Sequence, residues 1–397
     1  MAPAQGVTAT SIKLGVAGTD PAQLEAAGVQ ADNGPATKDL YTAWIAAQNK
    51  TGGAGGRQIQ FAFQPFLPTG PAAAQAACVA LSKDQAVFAA IGIFTGDTPL
   101  CFTQTEGVPY IGLWGQSADR DAKSTKAPFL AVEMADDQQR KAGVQALLDQ
   151  GLLKGRKVAL YWEAQDDAVT KSVVKPLLQA AGVNVVAETP LANVGTDQSA
   201  QNQALDTVVE KMKSSGADTV LNTSNFSNIM VVFQRKGWLP QQILATSQQA
   251  LSTDVMATTG IMPATMAPLT VAASYAPTKA ELAADANVTR CVQEYNDAFP
   301  DSAVDTAKVS LEILSGIAHQ CAAFELFVQV TDKVGANITL DGWRTAAEGL
   351  GKVNLAGVPI GSLGPGKHSV GDAVGIYKFD ASASRMVPTG PAIAATK

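Results

Sequence analysis

The sequence predicts an α/β fold built on parallel sheets, and three observations carry that prediction. Short apolar strand patterns alternate with helical patterns along nearly the whole chain. The run Ala86–Phe94 (AVFAAIGIF) is almost continuously apolar, as expected of a strand buried on both faces. The chain has 397 residues, room for two to three domains at about 150 residues each. Regular βα alternation implies parallel strands covered by helices on both faces. The run of units is long enough for two such sheets.

Ser11–Gly18 (SIKLGVAG) reads as the first strand, ending in Gly. Asn33–Asn49 carries Leu40, Trp44, Ile45 and Ala47 at helical spacing. TGGAGG (Thr51–Gly56) ends that helix, because Gly tolerates the left-handed cap conformation. Gln58–Phe66 alternates as a strand. Pro71–Lys83 is an Ala-rich helix with Pro in its first turn, where the missing N–H costs nothing. Strands follow at Ala86–Phe94 and Val108–Leu113, then a helix at Gln138–Gln150 and a strand at Lys157–Trp162. Ala168–Ala181 is a helix stopped by Gly182. Next come a strand (Val183–Glu188), a helix (Ala200–Ser215), a strand (Thr219–Asn222), a helix (Ser227–Lys236), a strand (Ile243–Thr246) and an extended stretch (Pro268–Ser274). Two long helices, Ala280–Ala298 and Val304–Val330, precede a short helix, Leu340–Leu350, and a strand near Ala373–Phe379. Pro-rich spots near 128, 263–268 and 365 are places where the chain could cross between lobes.

Apolar residues make up 46%, charged residues 16%, and the net charge is −6. That is too apolar and too weakly charged for a disordered chain. The acidic balance argues against nucleic acid, whose phosphates require a basic face. No apolar run approaches the roughly 18 residues needed to span a bilayer. With only two histidines, His319 and His368, a histidine-rich metal site or histidine-based hydrolase is not expected. His319 falls in a long apolar helix and reads as packed; His368 falls in a Gly/Pro loop (GPGKHSVGD) and reads as exposed. The four cysteines, Cys78, Cys101, Cys291 and Cys321, form no CxxC and no zinc-spaced cluster. They fit either two disulfides in an oxidising compartment or four buried thiols. The opening MAPAQGVTATS has no apolar signal-peptide region. Either the protein is cytosolic, or this is the tether left after an export signal or lipid-anchored cysteine is cut away.

In open parallel sheets ligands sit beyond the carboxyl ends of the strands. The residues there are Thr19 and Asp20; Phe94, Thr95, Gly96, Asp97 and Thr98; and Trp114, Gly115, Gln116 and Ser117. Further along are Trp162, Glu163, Gln165 and Asp166; Asn222, Thr223, Ser224, Asn225 and Phe226; and Ser247, Gln248 and Gln249. Small polar groups and amides beside aromatics suit a small polar ligand with one or two apolar walls. TGDT (Thr95–Thr98) is also a good helix start, so it either binds a carboxylate or merely caps. Trp114 and Trp162 fit ligand stacking and core packing equally. Asp136–Asp137 and Asp166–Asp167 read as partners of helix N-termini. TGGAGG follows a helix and lacks the phosphate-binding orders GxGxxG and GxxxxGK[ST]. No GxSxG elbow occurs. No nucleophile with a nearby base can be nominated, so an enzyme is not expected, and no cofactor or metal is called for.

Several segments resemble the type I periplasmic-binding fold, specifically the branched-chain-amino-acid type of solute-binding protein that serves ABC importers. They are GVTATSIKLGVAG, QNKTGGAGGRQIQF, AAAQAACVALSKDQAVFAAIG, EGVPYIGLWG, AAGVNVVAETPLANVGTDQSAQ and SSGADTVLNTSNFSNIMVVFQRKGW, in that order from about Gly6 to Phe379. The resemblance implies two doubly wound parallel-sheet lobes joined by a three-strand hinge, with crossovers near 133, 267 and 365. The first lobe would comprise 7–133 and 268–365, the second 134–267 and 366–397, with 1–6 as a flexible tether. Actinobacterial lipoprotein members are the nearest in style, and they imply pairing of Cys78 with Cys101 and of Cys291 with Cys321.

The same resemblance implies that a ligand carboxylate meets Thr95–Thr98 and Gly115–Ser117, with Gly96 where a Ser is typical. Amino-acid binders hold the ammonium with an acid near Gln248. A neutral amide cannot compensate a buried ammonium. Asp97, Asp20, Glu163 or Asp166 would then substitute, or the ligand is an amide or an aromatic or alicyclic acid without an amine. The expected protein is an exported monomer that delivers its ligand to a permease and ATPase. A ligand-sensing receptor domain of the same fold is the alternative.

Overall fold

The computed structural model describes residues 4–19, 24–25, 34–67, 70–94, 96–192, 198–224, 229–246, 251, 260–382 and 385–395. The chain divides into two compact units, Met1–Ala135 with Pro277–Gly371, and Asp136–Ala276 with Asp372–Lys397.

In the first unit β1 (Ser11–Gly18), β2 (Gln58–Pro65), β3 (Ala89–Gly92), β4 (Tyr110–Gly112) and β5 (Phe129–Ala131) form one sheet in the order β2-β1-β3-β4-β5. Every pair in it is parallel. Central β1 buries Ile12, Leu14 and Val16 completely, as its apolar run requires. The helix Thr37–Lys50 packs Tyr41, Trp44 and Ile45 into the same core, and the Trp44 indole donates to the Cys291 carbonyl at 2.9 Å. That bond removes the cost of burying an indole N–H among apolar groups. On the other face the helix Pro71–Val79 begins at its proline and runs on as a π-helical turn, Ala80–Asp84.

The second unit repeats the design. β6 (Lys157–Glu163), β7 (Asn184–Leu191), β8 (Thr219–Asn222), β9 (Gln241–Ala245) and β10 (Leu269–Ser274) run parallel in the order β7-β6-β8-β9-β10. The chain then returns to the first unit through the helices Lys279–Ala284, Ala286–Ala298, Leu311–Val334 and Leu340–Glu348. There β11 (Gly351–Lys352) and β12 (Ser362–Leu363) form a short antiparallel pair. Finally β13 (Ala373–Asp380) adds antiparallel to β10, with β14 (Arg385–Pro388) and β15 (Ile393–Ala394) beside it.

Several expected boundaries move, each for a local reason. The helix expected over 280–298 is two, because Asp285 turns outward and caps the second through the N–H groups of Asn287 and Val288. The helix expected from Val304 starts at Leu311, where the Ser310 hydroxyl caps it, and runs on to Val334. This helix is long and apolar enough to cross a membrane by composition, but Leu314, Cys321, Phe324 and Phe327 are buried in the first unit's core. Segment 268–276 was assigned by sequence to the first unit. It belongs to the second, because β10 hydrogen-bonds to β9 and β13. Segment 366–371 belongs to the first, because it clips β5: Ala131 N–H donates to the His368 carbonyl, and Val370 N–H donates to the Ala131 carbonyl. Strand β5 and the helix Ala118–Lys123 are additional to the sequence reading. The half-turn of Ser227–Asn228 expected as helix lies outside the described residues.

Both predicted disulfides form, Cys78–Cys101 and Cys291–Cys321. His368 is not exposed. Its side chain retains 13% of its accessible surface and its ring lies between two carboxylates. His319 is half-buried 4.0 Å from Glu133, and burial lowers its pKa.

Candidate functional site

The five parallel strands of each sheet have the 2-1-3-4-5 order, so each set has one topological switch point: β1/β3 in the first unit and β6/β8 in the second. Neighbouring connections leave in opposite directions there, opening a crevice beyond the carboxyl ends of the strands.

In the first unit Thr19 follows β1 and is half-buried. Phe94 follows β3 but is 6% exposed. It packs on Phe66, Phe102 and Tyr110, and its N–H donates to the Tyr110 hydroxyl at 3.2 Å. It therefore braces the loop from beneath. Burial pushes the Tyr110 pKa far up, which keeps the phenol neutral. Gly96 has φ +58, a left-handed conformation that a glycine adopts without strain, with open space where a Cβ would lie. Asp97 is exposed, with Lys123 at 3.9 Å. Thr98 is half-buried in the turn that leads into a π-helical turn, Cys101–Glu106, which the Cys78–Cys101 bond ties to the helix Pro71–Val79.

After β4, Trp114 and Gly115 are half-buried. Gln116 is buried and donates to the Phe129 carbonyl at 3.0 Å. Ser117 caps the helix Ala118–Lys123. Its Oγ accepts from the Arg120 backbone N–H at 3.3 Å and from Arg120 Nε at 3.2 Å. Arg120 Nη1 donates to the Gly96 carbonyl at 3.2 Å, so one guanidinium links the loops after β3 and β4.

In the second unit Trp162 is 2% exposed, and its indole donates to Asp167 at 2.9 Å. Glu163 is half-buried, and its N–H donates to Ser224 Oγ at 2.6 Å. Its carboxylate accepts from Gln165. Burial raises the Glu163 pKa. Asp166 is buried and paired with Arg140. Burial raises its pKa, and the guanidinium opposes that shift. Arg140 also donates to the Thr223 carbonyl at 2.7 Å and the Asp136 carbonyl at 3.2 Å. Asn222 accepts from the Ser224 N–H at 2.8 Å, and Thr223 and Thr170 share a hydroxyl bond at 3.0 Å. Asp20, Thr95, Asn225, Phe226, Gln248 and the neighbouring Ser247 and Gln249 lie outside the described residues.

The two arginines were missed from sequence. No local pattern marks them, because each acts through partners distant in the chain: Arg120 at the Gly96 carbonyl, Arg140 at the Thr223 carbonyl and Asp166. Asp136 and Asp137 open their helix as expected. Among the described residues one group of metal-ligand type is close together, Cys291, Cys321 and Glu325, and its two sulfurs are joined to each other.

Two doubly wound α/β units, each with a crevice at the carboxyl ends of its parallel strands, describe a class, the solute-binding proteins. The chain belongs to the periplasmic binding protein family, whose model matches residues 11–383. No curated protein sequence matches it. It is similar in fold to a fatty acid ABC transporter substrate-binding protein from Thermomonospora curvata, at 18% identity, TM-score 0.63, covering 99% of this chain and 95% of that one. It is also similar to an ABC-transporter solute-binding protein from R. palustris in complex with 4-hydroxybenzoate (15% identity, TM-score 0.64, 98% and 97% covered). A leucine binding protein from Thermotoga maritima is comparable, at 12% identity, TM-score 0.64, with 97% and 99% covered.

Proposed function

We propose that the chain is an extracytoplasmic solute-binding protein that captures a small carboxylate-bearing ligand and hands it to an ABC permease and its ATPase. The observation that carries the carboxylate is the Ser117–Arg120 pair. A hydroxyl offers one donor and two acceptor positions. Arg120 fills both acceptor positions of Ser117 Oγ, through its backbone N–H and its Nε. The remaining Ser117 O–H can only donate, and the guanidinium beside it adds positive charge. An anionic acceptor suits both. The ligands named for similar structures, a fatty acid, 4-hydroxybenzoate, 3,4-dihydroxy benzoic acid and Leu, share a carboxylate. Asp166 already has a cation in Arg140, which makes it a poor partner for a ligand ammonium. An extracytoplasmic location goes with the family, and two disulfides suit an oxidising compartment.

The test is a thermal-shift panel of acids, each beside its neutral amide: benzoate with benzamide, leucine with leucinamide, octanoate with octanamide. A ligand at 100 times its dissociation constant adds about 2.7 kcal/mol of stability. Acids should shift the melting temperature and amides should not. Equal shifts with an amide would sink the carboxylate reading. Ser117→Ala and Arg120→Met should each weaken binding of the active acid roughly ten- to hundredfold, since a hydrogen bond to a charged group is worth about 1.5–3 kcal/mol. Trp114→Ala should also weaken it while leaving the unliganded melting temperature within a few degrees. Wild-type affinity in that variant would remove Trp114 from the site.

A further inference from the structure

His368 has no part in the binding reading above, yet its surroundings are built with care. Nδ1 lies 2.6 Å from Asp121 Oδ1, and Nε2 lies 3.1 Å from Glu348 Oε1. A neutral imidazole has one N–H and one lone pair, so it can satisfy only one of two carboxylates. An imidazolium donates from both nitrogens and satisfies both. Asp121 comes from the helix Ala118–Lys123 and Glu348 from the helix Leu340–Glu348. The other nearby cation on the segment, Lys367, turns its ammonium to the carbonyls of Ser362, Ser369 and Val370. Lys123, on the same helix as Asp121, pairs with Asp119 at 2.6 Å. His368 itself sits in the segment that clips β5. The Ala131 N–H donates to the His368 carbonyl at 2.9 Å, and the Gly371 N–H donates to the Val132 carbonyl at 3.1 Å. Both ends of that clip run directly into chain passages between units, at Ala135/Asp136 and Gly371/Asp372.

We propose that protonated His368 is a latch: it clamps the helices Ala118–Lys123 and Leu340–Glu348 onto the segment 361–371, and loss of its proton loosens that segment. The two carboxylates raise the His368 pKa above its ordinary value, the Asp121 hydrogen bond being the largest cause, while burial opposes them. A histidine with a raised folded pKa contributes stability that is fully present below the unfolded pKa. That stability is lost as pH rises through the folded pKa. The latch is therefore closed in acid and opens as pH rises through the raised folded pKa. It does not depend on which ligand is bound.

The experiment uses the full chain without ligand. With two histidines in the sequence, a ring nitrogen–carbon NMR titration needs only His319→Gln to assign the signals. His368 should titrate with a midpoint above 6.5 and carry protons on both nitrogens below it. The melting-temperature gap between wild type and His368→Gln should be widest below the ordinary imidazole pKa and should shrink as pH rises through the raised folded pKa. Glu348→Gln, which keeps Asp121, should lower the midpoint part way; it tests the latch even if His368→Gln folds poorly. A midpoint at or below 6.5, or a gap that stays constant across that range, would overturn the proposal. A merely structural histidine would give the constant gap.

Discussion

Replacing Arg140 with Met should destabilise the second unit by about 3–5 kcal/mol. Removing one partner of a buried pair leaves the other as an uncompensated charge in low dielectric. Arg140 and Asp166 have side chains 7% and 9% exposed, so solvent offers Asp166 little compensation. The loss reaches the site. Arg140 also holds the Thr223 carbonyl, and Thr223 lies between Asn222 and Ser224 at the carboxyl end of β8. Asp166→Asn should cost less, because Arg140 keeps two backbone carbonyl acceptors in Thr223 and Asp136. The double variant Arg140→Met with Asp166→Leu should recover most of the loss, since well-packed apolar residues often match a buried ion pair. Urea denaturation with hydrogen exchange read on β6 and β8 measures all three. If Arg140→Met stays within 1 kcal/mol of wild type, the pair is not the anchor described above.

Removing the first disulfide as Cys78→Ser with Cys101→Ser should cost about 3 kcal/mol, from the conformational entropy returned to the unfolded chain. The bond spans 23 residues and encloses β3 and the loop that follows it. Its loss should also loosen Gly96–Thr98, because the π-helical turn after that loop would no longer be tied to the helix Pro71–Val79. Binding of the active acid should fall together with stability. A variant as stable as wild type would show that packing of Phe94, Phe102 and Tyr110 alone holds this region.

How far the sequence could be read depended on how local each signal was. β1, β6 and β8 were legible because each is an apolar run bounded by its own turn residues, and their ends moved by at most a residue. β5 was not. It is three residues long, and its outer side is clipped by a segment more than two hundred positions later. The assignment of β10 failed for the same reason: a strand declares that it is a strand through its own residues, but its sheet is decided by its neighbours. The candidate site divided likewise. Ser117 and Asn222 could be named from strand order alone. Arg120 and Arg140 became visible only when their partners at Gly96 and Asp166 were in place.

By itself the sequence determined the alternating α/β character, the strand-end loops and the family resemblance, and that resemblance in turn implied both cysteine pairs. These rest on local patterning and on the order of motifs along the chain. The tertiary structure decided which strands share a sheet, which aromatics support a loop from beneath, and which charges are already neutralised. Phe94 and Trp162 turned from possible ligand walls into buried supports, and His368 from a loop residue into a bridge between two carboxylates. The physical reason is common to all of them. Burial and charge pairing are set by groups that are distant in the chain, and the pKa of a side chain belongs to its surroundings rather than to its position in the sequence.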